Sequence, residues 1–417
     1  MRLFGMVLGG WLLIVGMACN KSTEMPEDGP FSDELFPLFP WTERDEASVT
    51  LTVPWIDNPG FIIDYIGDPP APPTEARILF GRQPNTLETV AELSFEEQPA
   101  TFKGLEAGHP YYFQTVYARP GYDERSSPLL MATPGPTPAV VTVDFMEPFL
   151  VESFRESPDG EYLVWENGRE RDDLYLNRTG DRTNKRVGGR TYSYGWSADS
   201  RYLIYVSTTI ENNRLYSTGL VRMDVETMET DTLIRNDNRL VHLHFLVADP
   251  EKPVGYFTQS GGETTRGIRY MAYNFETGAV RTLFEKQPTT DFEVYSVMAI
   301  HNGEFYGSGT EPDDESINLY AIDIKTGAVR PLVDRTIWQD LLSGVSADGR
   351  RLAFVSDRSG RPELWTYHLD TDRYQQVTQR EQTFVRRFTT SSWVDNQTLR
   401  LSMSLNGEWK LYEVSWE

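Results

Sequence analysis

Short apolar runs separated by turn residues alternate along the C-terminal part of the chain. Within residues 346–378, a turn at Asp348-Gly349 precedes the apolar run Leu352–Val355, and further short runs follow at Leu364–Leu369 and Tyr374–Thr378. An uninterrupted apolar run of this kind is typical of a strand buried on both faces. A sheet of such short strands cannot cover both of its own faces, so the pattern predicts similar sheets packed against it.

Six copies of this unit follow one another up to residue 417. Their turns are spaced by 40, 50, 53, 46 and 47 residues, and the marker residues are Asp159, Asp199, Asp249, Asn302, Asp348 and Asp395. An apolar strand follows each turn, and another strand comes at a similar distance after it. A repeat of this length built from strands is the signature of a β-propeller. A β-sandwich would not keep two motifs in phase over six units, so we predict an all-β chain with a six-bladed propeller over 139–417.

The sixth copy lacks its outermost strand. Residues Ala139–Val143, just before the first copy, alternate like a strand. We expect this segment to complete the sixth blade, which would close the ring and leave no open sheet edge at the seam.

The repeat resembles the TolB-like propeller repeat, whose consensus the fifth copy follows most closely with S-A-D-G-R-R-L-A-F-V-S at residues 346–356. The third and fourth copies depart from it, with Ala248–Glu251 and His301–Gly303 in place of the turn. The resemblance implies the propeller fold and a periplasm-facing interaction role. It leaves the function open, because such propellers serve as scaffolds, receptors and enzyme subdomains.

Residues 47–133 predict a small β-sandwich, because apolar residues alternate with polar ones from Val49 to Trp55 and further strand patterns follow. Leu105, Gly108 and Tyr111 have the spacing of a tyrosine corner, in which the Tyr hydroxyl bonds back to the preceding loop. Together these features resemble a fibronectin type III domain, with a Pro-rich insert at 56–74 as the departure. A stiff Pro-rich linker at 134–138 marks the domain boundary.

The N-terminus resembles a bacterial lipoprotein signal. Arg2 precedes an apolar segment that ends at Gly16-Met17-Ala18-Cys19, and Cys19 is the single cysteine of the chain. We therefore predict a signal peptide at 1–18, lipid attachment at Cys19 and an acidic, Pro-containing tether at 19–46. The alternative is an ordinary secretory signal. The lipoprotein prediction places the protein in the cell envelope, at the outer membrane facing the periplasm or the cell surface. The single cysteine also excludes an internal disulfide.

Composition and motifs argue against several function classes. The net charge of −23 disfavours nucleic acid as a partner. No G-x-S-x-G pentapeptide occurs, so a serine hydrolase is not predicted. His242 and His244 would share one face of a strand, but two ligands are too few for a structural zinc. Carboxylates are too numerous for any pair to stand out, and no cofactor motif occurs. We predict no enzyme activity, no metal and no cofactor.

Binding is the function that remains. The loops that enter the innermost strands of a propeller share one face, and aromatic and Arg residues there are typical of interfaces. The candidates near the starts of innermost strands are Tyr192, His242, Glu293, Trp338 and Arg386. Each of them is alternatively a packing residue. We expect a monomer that binds an envelope protein or peptide. A carbohydrate-binding or carbohydrate-cleaving protein is the alternative, which an acid/base pair at the channel mouth would favour.

Overall fold

The computed structural model describes most of the chain from residue 41 onward. The described residues are 41–52, 75–93, 100–118, 124–136, 138–143 and 151–415, the last range with gaps at 168–173, 180, 182, 189–190, 192, 212–213, 239, 262–266, 287–292, 312–315, 334–336, 380–382, 385–389, 396 and 406–407. Within these residues every helix or strand is a β-strand. The all-β prediction is confirmed for this part of the chain.

Two sheets form the N-terminal module. Its strands are β1 Trp41–Asp45, β2 Ser48–Thr52, β3 Glu75–Gly81, β4 Glu88–Leu93, β5 Ala100–Lys103, β6 Tyr111–Ala118, β7 Arg125–Ser126 and β8 Leu130–Ala132. The sheet orders are β1-β2-β5 and β4-β3-β6-β7, with β8 also paired to β6. Alternate side chains of β2, β3 and β6 point inward, and Leu51, Ile78 and Phe113 are fully buried in one shared core.

The predicted tyrosine corner is present in this module. Tyr111 begins β6 and is 2 % exposed, and its hydroxyl accepts a hydrogen bond from the backbone N–H of Glu106 at 2.9 Å. The bond satisfies a backbone donor of the loop that enters the strand. It also gives the buried hydroxyl a partner, which a buried polar group requires.

Six further sheets follow. Their strands are β9 Ala139–Thr142, β10 Val151–Glu156, β11 Tyr162–Asn167, β12 Leu174–Arg178, β13 Asn184–Gly188, β14 Tyr194–Trp196, β15 Tyr202–Glu211, β16 Arg214–Asp224, β17 Thr230–Arg235, β18 Val241–Ala248, β19 Val254–Gly261, β20 Ile268–Asn274, β21 Val280–Lys286, β22 Glu293–His301, β23 Glu304–Thr310, β24 Asn318–Asp323, β25 Val329–Pro331, β26 Leu341–Val345, β27 Arg351–Ser356, β28 Glu363–His368, β29 Arg373–Gln376, β30 Thr383–Phe384, β31 Ser391–Trp393, β32 Thr398–Leu405 and β33 Glu408–Ser415. Five sheets take four consecutive strands each, from β10-β11-β12-β13 to β26-β27-β28-β29.

The first strands of these sheets form a closed ring. Each of these strands contacts the next one in the order β10, β14, β18, β22, β26 and β31. Strand β31 in turn contacts β10. Glycines permit close approach within the ring: a Cβ on Gly195 of β14 would lie 2.6 Å from a ring carbon of Phe245 in β18. This arrangement is a six-bladed β-propeller, with the ring strands innermost.

The sixth sheet closes the ring as the sequence predicts. Its order is β30-β32-β33-β9, with β31 also paired to β32. Strand β9 pairs antiparallel with β33, placing Ala139 opposite Ser415 and Thr142 opposite Tyr412. Val143 continues the contact, because its N–H donates to the carbonyl of Leu411 at 3.0 Å. The outermost strand of the last blade therefore comes from the start of the propeller.

One hydrogen-bonding pattern explains the repeated Ser-x-Asp turn. Ser346 Oγ donates to Asp348 Oδ1 at 2.6 Å, and the same oxygen of Asp348 accepts the backbone N–H of Arg350 at 3.0 Å. Ser346 Oγ in turn accepts the N–H of Arg351 at 2.9 Å, at the start of β27. The turns at Ser157 and Ser197 repeat the bond to the Asp carboxylate at 2.6 Å. The motif recurs because each blade needs the same short connection from its innermost strand.

The two divergent turns use other chemistry for the same connection. In the fourth sheet, Asn302 and Gly303 both have positive φ, 50° and 77°, which is the two-residue hairpin turn that favours Asn-Gly. In the third sheet, Asp249 Oδ1 accepts the N–H of Glu251 at 3.0 Å without a serine partner. The geometry of the turn is thus kept where its residues change.

The chain divides into two compact units inside the fifth sheet. One unit holds Ala139–Val355 and Val385–Ser415, and the other groups the N-terminal module with Ser356–Phe384, which contains β28 and β29. Residues 134–138, predicted as a linker, end at the unit boundary before Ala139. The sequence predicts the propeller over 139–417, and these domain bounds stay a prediction.

A buried arginine holds the second unit together. Arg44 of β1 is 6 % exposed, and its Nη1 donates to the carbonyls of Gly135 at 2.9 Å and Pro136 at 3.1 Å. Its Nη2 donates to the carbonyl of Gln376 at the end of β29. Burial lowers the pKa of Arg44 to about 10, against the opposing effect of Glu363, so the side chain remains charged at neutral pH. The Pro-rich segment is therefore packed and hydrogen-bonded within this unit.

The Ser-x-Asp turn predicts a pH-dependent stability. The hydrogen bonds from Ser346 and from the Arg350 N–H lower the pKa of Asp348. A lowered pKa in the folded state adds stability above the unfolded-state pKa, and this stability is lost as the pH falls through the folded-state pKa. We expect Asp348→Asn to lower the free energy of unfolding at pH 7 by about 0.5–1 kcal/mol, the usual net value of a hydrogen bond.

The difference between Asp348→Asn and the unmodified protein should shrink as the pH falls below about 4, measured by urea unfolding at several pH values. Asp181→Asn, an exposed aspartate outside the Ser-x-Asp turns, is the control and should show little difference at any pH. A difference for Asp348→Asn that stays constant down to pH 2 would contradict the assignment.

Candidate binding site in the central ring

The innermost strands carry polar side chains in a ring otherwise built for packing. On β10, Phe154 is 2 % exposed and packs in the core, whereas Ser153 and Arg155 on either side of it are partly exposed. The register of β10 against β11 shifts between Val151 and Phe154. Such bulges re-aim side chains and occur frequently beside functional sites.

A hydrogen-bonded relay links the first and second blades. Ser153 Oγ donates to Glu166 Oε2 at 2.9 Å, and it lies 2.6 Å from the hydroxyl of Tyr194 on β14. A serine hydroxyl has one proton, which Ser153 gives to the carboxylate, so Tyr194 donates to Ser153. The three side chains therefore form the chain Tyr194 to Ser153 to Glu166.

Tyr194 keeps its proton in this relay. Burial, followed by the nearby negative charge of Glu166, raises the pKa of Tyr194 well above its ordinary value. A phenol in this state donates a hydrogen bond and does not act as a base near neutral pH. The relay thus presents fixed polar groups on the ring.

Arg155 of β10 adds a positive charge that interacts with Tyr194 and Glu166. Burial lowers the pKa of Arg155, while Tyr194 and Glu166 act in the opposite direction. Burial and then the charge of Arg155 lower the pKa of His244 on β18 to about 4. His244 is therefore neutral at pH 7. Strands β10 and β18 lie on either side of β14 in the ring, so the field of Arg155 reaches across the ring interior.

Four residues define what we call the ring cluster: Ser153, Arg155, Tyr194 and His244. They come from three consecutive innermost strands, with Glu166 of β11 behind them. Guanidinium, phenol and hydroxyl groups all donate hydrogen bonds, and the neutral imidazole of His244 donates from one nitrogen and accepts at the other. The arrangement is suited to recognising a polar or anionic group.

The seam between the sixth and first blades carries a second set of charges. Arg400 of β32 forms an ion pair with Glu156 of β10, and its Nη2 lies 2.6 Å from Glu413 Oε1 on β33. Ser392 of β31 also donates to Glu156. The side chains of Arg400 and Glu156 are 15 % and 11 % exposed. These charges satisfy one another, so we assign them to ring closure and not to ligand binding.

The structure locates three of the five predicted binding residues. His242 is exposed and is the second residue of β18, and Glu293 is the first residue of β22. Trp338 precedes β26 and is 8 % exposed. Tyr192 and Arg386, and also the lipid-attachment candidate Cys19, lie outside the described residues. The three located residues lie at or just before the start of an innermost strand, and their role in binding stays a prediction.

The burial of Trp338 bears on the two roles that the sequence leaves open for it, partner binding and packing. A tryptophan that is 8 % exposed contributes to packing, and its truncation leaves a cavity. The packing alternative for this residue is therefore the better supported of the two.

Trp338→Ala should lower the free energy of unfolding by about 3–5 kcal/mol, as for other buried large side chains. Ile337, its neighbour, is 65 % exposed, and Ile337→Ala should change stability by no more than about 0.5 kcal/mol. Chemical unfolding of the two variants measures both values. Equal, small effects would show that Trp338 does not support the fold.

A cavity of about 520 Å³ lies at the turn end of the second and third blades. It is lined by Ser197, Asp199, Tyr202, Arg222, Lys252 and Glu276, among others. This end is opposite to the starts of the innermost strands, where the sequence placed the site. Its two cations are already paired, Arg222 with Asp231 at 3.0 Å and Lys252 with Asp249 at 3.2 Å. We therefore prefer the ring cluster as the candidate site.

Within the described part of the chain, no group of three or more His, Cys, Asp or Glu side chains is arranged to hold a metal ion. The same residues contain no helix long and apolar enough to cross a membrane.

Of the ring cluster, the sequence analysis named only His244, beside His242 as a metal candidate. Ser153 and Arg155 stand in S-F-R-E at 153–156 and Tyr194 in Y-G-W at 194–196, where no catalytic or ligand motif occurs. A usable signal was present, because an innermost strand flanked by two blades is expected to be apolar, and Arg155 breaks that pattern. Which residues meet across the ring depended on how three blades are packed, and no spacing along the chain reports that.

No family model and no curated protein matches the sequence. Solved structures with a similar arrangement include TolB from Acinetobacter baumannii, with 13 % identity, a TM-score of 0.40, and coverage of 74 % of this chain and 77 % of that one. An oligogalacturonate lyase from Vibrio parahaemolyticus has 11 % identity and a TM-score of 0.43, and the match covers 67 % of this chain and 97 % of that one. The propeller domain of the Trilobed protease from Pyrococcus furiosus has 12 % identity and a TM-score of 0.43, and the match covers 73 % of this chain and 92 % of that one. These likenesses carry no argument about function, and the propeller rests on the sheets described above.

Proposed function

We propose that the chain is a lipid-anchored protein of the bacterial cell envelope whose propeller binds a protein or peptide partner at the central ring. The ring cluster is the observation that carries this proposal. Its donors lie on β10, β14 and β18 and are partly open to solvent at Ser153, Arg155 and His244. Burying polar groups in a packed ring costs free energy unless they are hydrogen-bonded, and a polar ligand would supply further hydrogen bonds.

The protonation states of the cluster favour binding over catalysis. General acid–base catalysis works best with groups whose pKa lies near the operating pH. The pKa of His244 is lowered to about 4, and the pKa of Tyr194 is raised well above its ordinary value. Neither group is suited to exchange a proton at neutral pH. The protein is therefore proposed to be a binder and not an enzyme.

The carbohydrate alternative has less support. Glycoside hydrolysis ordinarily needs two carboxylates facing each other across the substrate. In the portion of the ring that the structure describes, the carboxylates next to the cluster are Glu166, to which Ser153 donates, and Glu156, which pairs with Arg400. The polar and aromatic hydrogen-bond donors of the ring cluster suit a peptide ligand better than a sugar substrate that is to be cleaved.

The two modules support an extracytoplasmic binding role. The tyrosine corner at Tyr111 and the sheet orders β1-β2-β5 and β4-β3-β6-β7 are what a fibronectin type III-like module would have. The Ser-x-Asp turns match the TolB-like repeat that the sequence resembles. An acidic tether from Cys19 would hold both modules away from a membrane surface.

Photo-crosslinking in intact cells tests the binding role. A photo-reactive amino acid at His242, which is exposed beside the ring cluster, should produce a discrete adduct with one envelope protein. The matched control is Val280 on the outermost strand β21 of the same blade, which is 46 % exposed, and it should give no such adduct. The same adducts from both positions, or none from His242, would contradict partner binding at the ring.

Cell fractionation tests the anchor. Cys19→Ser removes the sulfur to which a lipid would be attached, so the variant should move from the membrane fraction to the soluble envelope fraction or the medium. Cys19→Ser does not alter the described propeller, and the purified variant should keep the melting temperature of the unmodified chain. A variant that remains in the membrane pellet after a high-salt wash would show that the lipoprotein prediction is wrong.

A further inference from the structure

We propose that Arg44 is a latch that holds the N-terminal module docked on the outer half of the fifth blade, and that docking is a separate step from the folding of either part. The module contributes β1, β8 and the segment 133–136 that leaves β8. The blade contributes β28, β29 and the turn between β27 and β28. All of these residues belong to one compact unit. The latch is distinct from the ring cluster and does not depend on what the ring cluster binds.

Two backbone hydrogen bonds join strands of the module to one turn of the blade. The N–H of Thr42 in β1 donates to the carbonyl of Ser359 at 3.1 Å. The N–H of Met131 in β8 donates to the carbonyl of Arg358 at 2.6 Å. Ser359 and Arg358 are neighbours in the turn that connects β27 with β28. The module therefore meets the blade through fixed backbone positions.

Arg44 adds a second set of bonds at the end of β29. Its Nη2 donates to the carbonyl of Gln376, and its Nη1 donates to the carbonyls of Gly135 at 2.9 Å and Pro136 at 3.1 Å. The N–H of Gln376 in turn donates to Thr133 Oγ1 at 3.2 Å. One guanidinium thus satisfies three carbonyls from two stretches of chain, one in the blade and one in the segment that leaves the module.

The contact around Arg44 is polar and incompletely satisfied. Arg44 is 6 % exposed, yet its Nε has no hydrogen-bond partner among the described residues. The same holds for two other buried atoms at the contact, Thr42 Oγ1 and Gln376 Oε1. Buried polar atoms without partners cost free energy, and polar interfaces between parts of one chain permit relative movement. The contact thus resembles an interface between domains more than the inside of a single core.

Loss of the guanidinium would act on both sides of the contact. The carbonyls of Gln376, Gly135 and Pro136 would lose their donor. Glu363, which is 4 % exposed, would lose the positive charge that interacts with it. Buried carbonyl and carboxylate groups need partners. Separation of the module from the blade supplies them, because it exposes these groups to water.

Each part keeps its own support without Arg44. The apolar core of the module lies between its own two sheets. In the blade, Leu364 of β28 is fully buried, and its carbonyl accepts the N–H of Val377 at 2.7 Å. Removal of Arg44 should therefore undock the module and leave both parts folded.

Amide hydrogen exchange on the full chain, read residue by residue by mass spectrometry, tests the latch. The contact reporters are the three N–H groups that donate between module and blade, those of Thr42, Met131 and Gln376. The internal reporters are the N–H groups of Ser127 in the module and Ser346 between β26 and β27. Each of these two donates to a backbone carbonyl of its own part.

Arg44→Met removes the donors and keeps an unbranched side chain. We expect exchange at the contact reporters to become about 10- to 100-fold faster, which corresponds to the loss of a charged hydrogen bond. Exchange at the internal reporters should stay unchanged. Arg77→Gln is the matched control, because Arg77 of β3 pairs with Glu124 on the surface of the same module. It should leave all five reporters unchanged.

Unchanged exchange at the contact reporters in Arg44→Met would overturn the latch, as would the same acceleration in Arg77→Gln. Equally faster exchange at Ser127 would overturn it too, because Arg44 would then support the folding of the module and not its docking. If Arg44→Met does not fold, the unmodified chain decides. At low urea its contact reporters should exchange through an opening that leaves the internal reporters protected, and one common opening for all five would contradict a separate docking step.

Discussion

Closure of the ring is the constraint on which the propeller depends. A four-stranded sheet with apolar residues on both faces is stable only between two other sheets, and the first and last sheets obtain that cover only when they meet each other. The pairing of β9 with β33 brings the two ends of the repeat together. It also covers the outer edge of β33 with a strand. The pairing therefore orders the sixth sheet and brings β31 against β10.

Hydrogen bonds between innermost strands add direction to this packing. Ser193 Oγ donates to the carbonyl of Phe245 at 2.6 Å, from the second blade to the third. Ser343 Oγ donates to Ser391 Oγ at 2.7 Å, from the fifth blade to the sixth. Hydrophobic burial is not directional, whereas these bonds set the position of each strand relative to the next. The side chains of the ring cluster consequently stand on strands whose relative positions are fixed.

The same packing explains why the ionisable groups of the ring cluster have shifted pKa values. Side chains between blades are enclosed by two sheets, so an ionisable group there experiences strong desolvation. The pKa values of Arg155, Tyr194 and His244 all shift with burial as the largest cause. In the turns that follow the innermost strands, local hydrogen bonds shift the pKa of a charged group instead, as they do for Asp348. Burial thus dominates the electrostatics of the ring cluster, whereas hydrogen bonds dominate in the turns.

The repeat pattern by itself determined the all-β class, the six blades and the strand that completes the last blade. It could do so because period, turn chemistry and alternation are local properties that each blade repeats. The tyrosine corner was predictable for the same reason, since Tyr111 and Glu106 are close in the chain. Only the tertiary structure decided that Trp338 is buried, that Arg44 joins β1 to residues 135–136 and 376, and that Ser153 meets Tyr194. These contacts join residues tens or hundreds of positions apart, and their geometry is set by the packing of whole sheets.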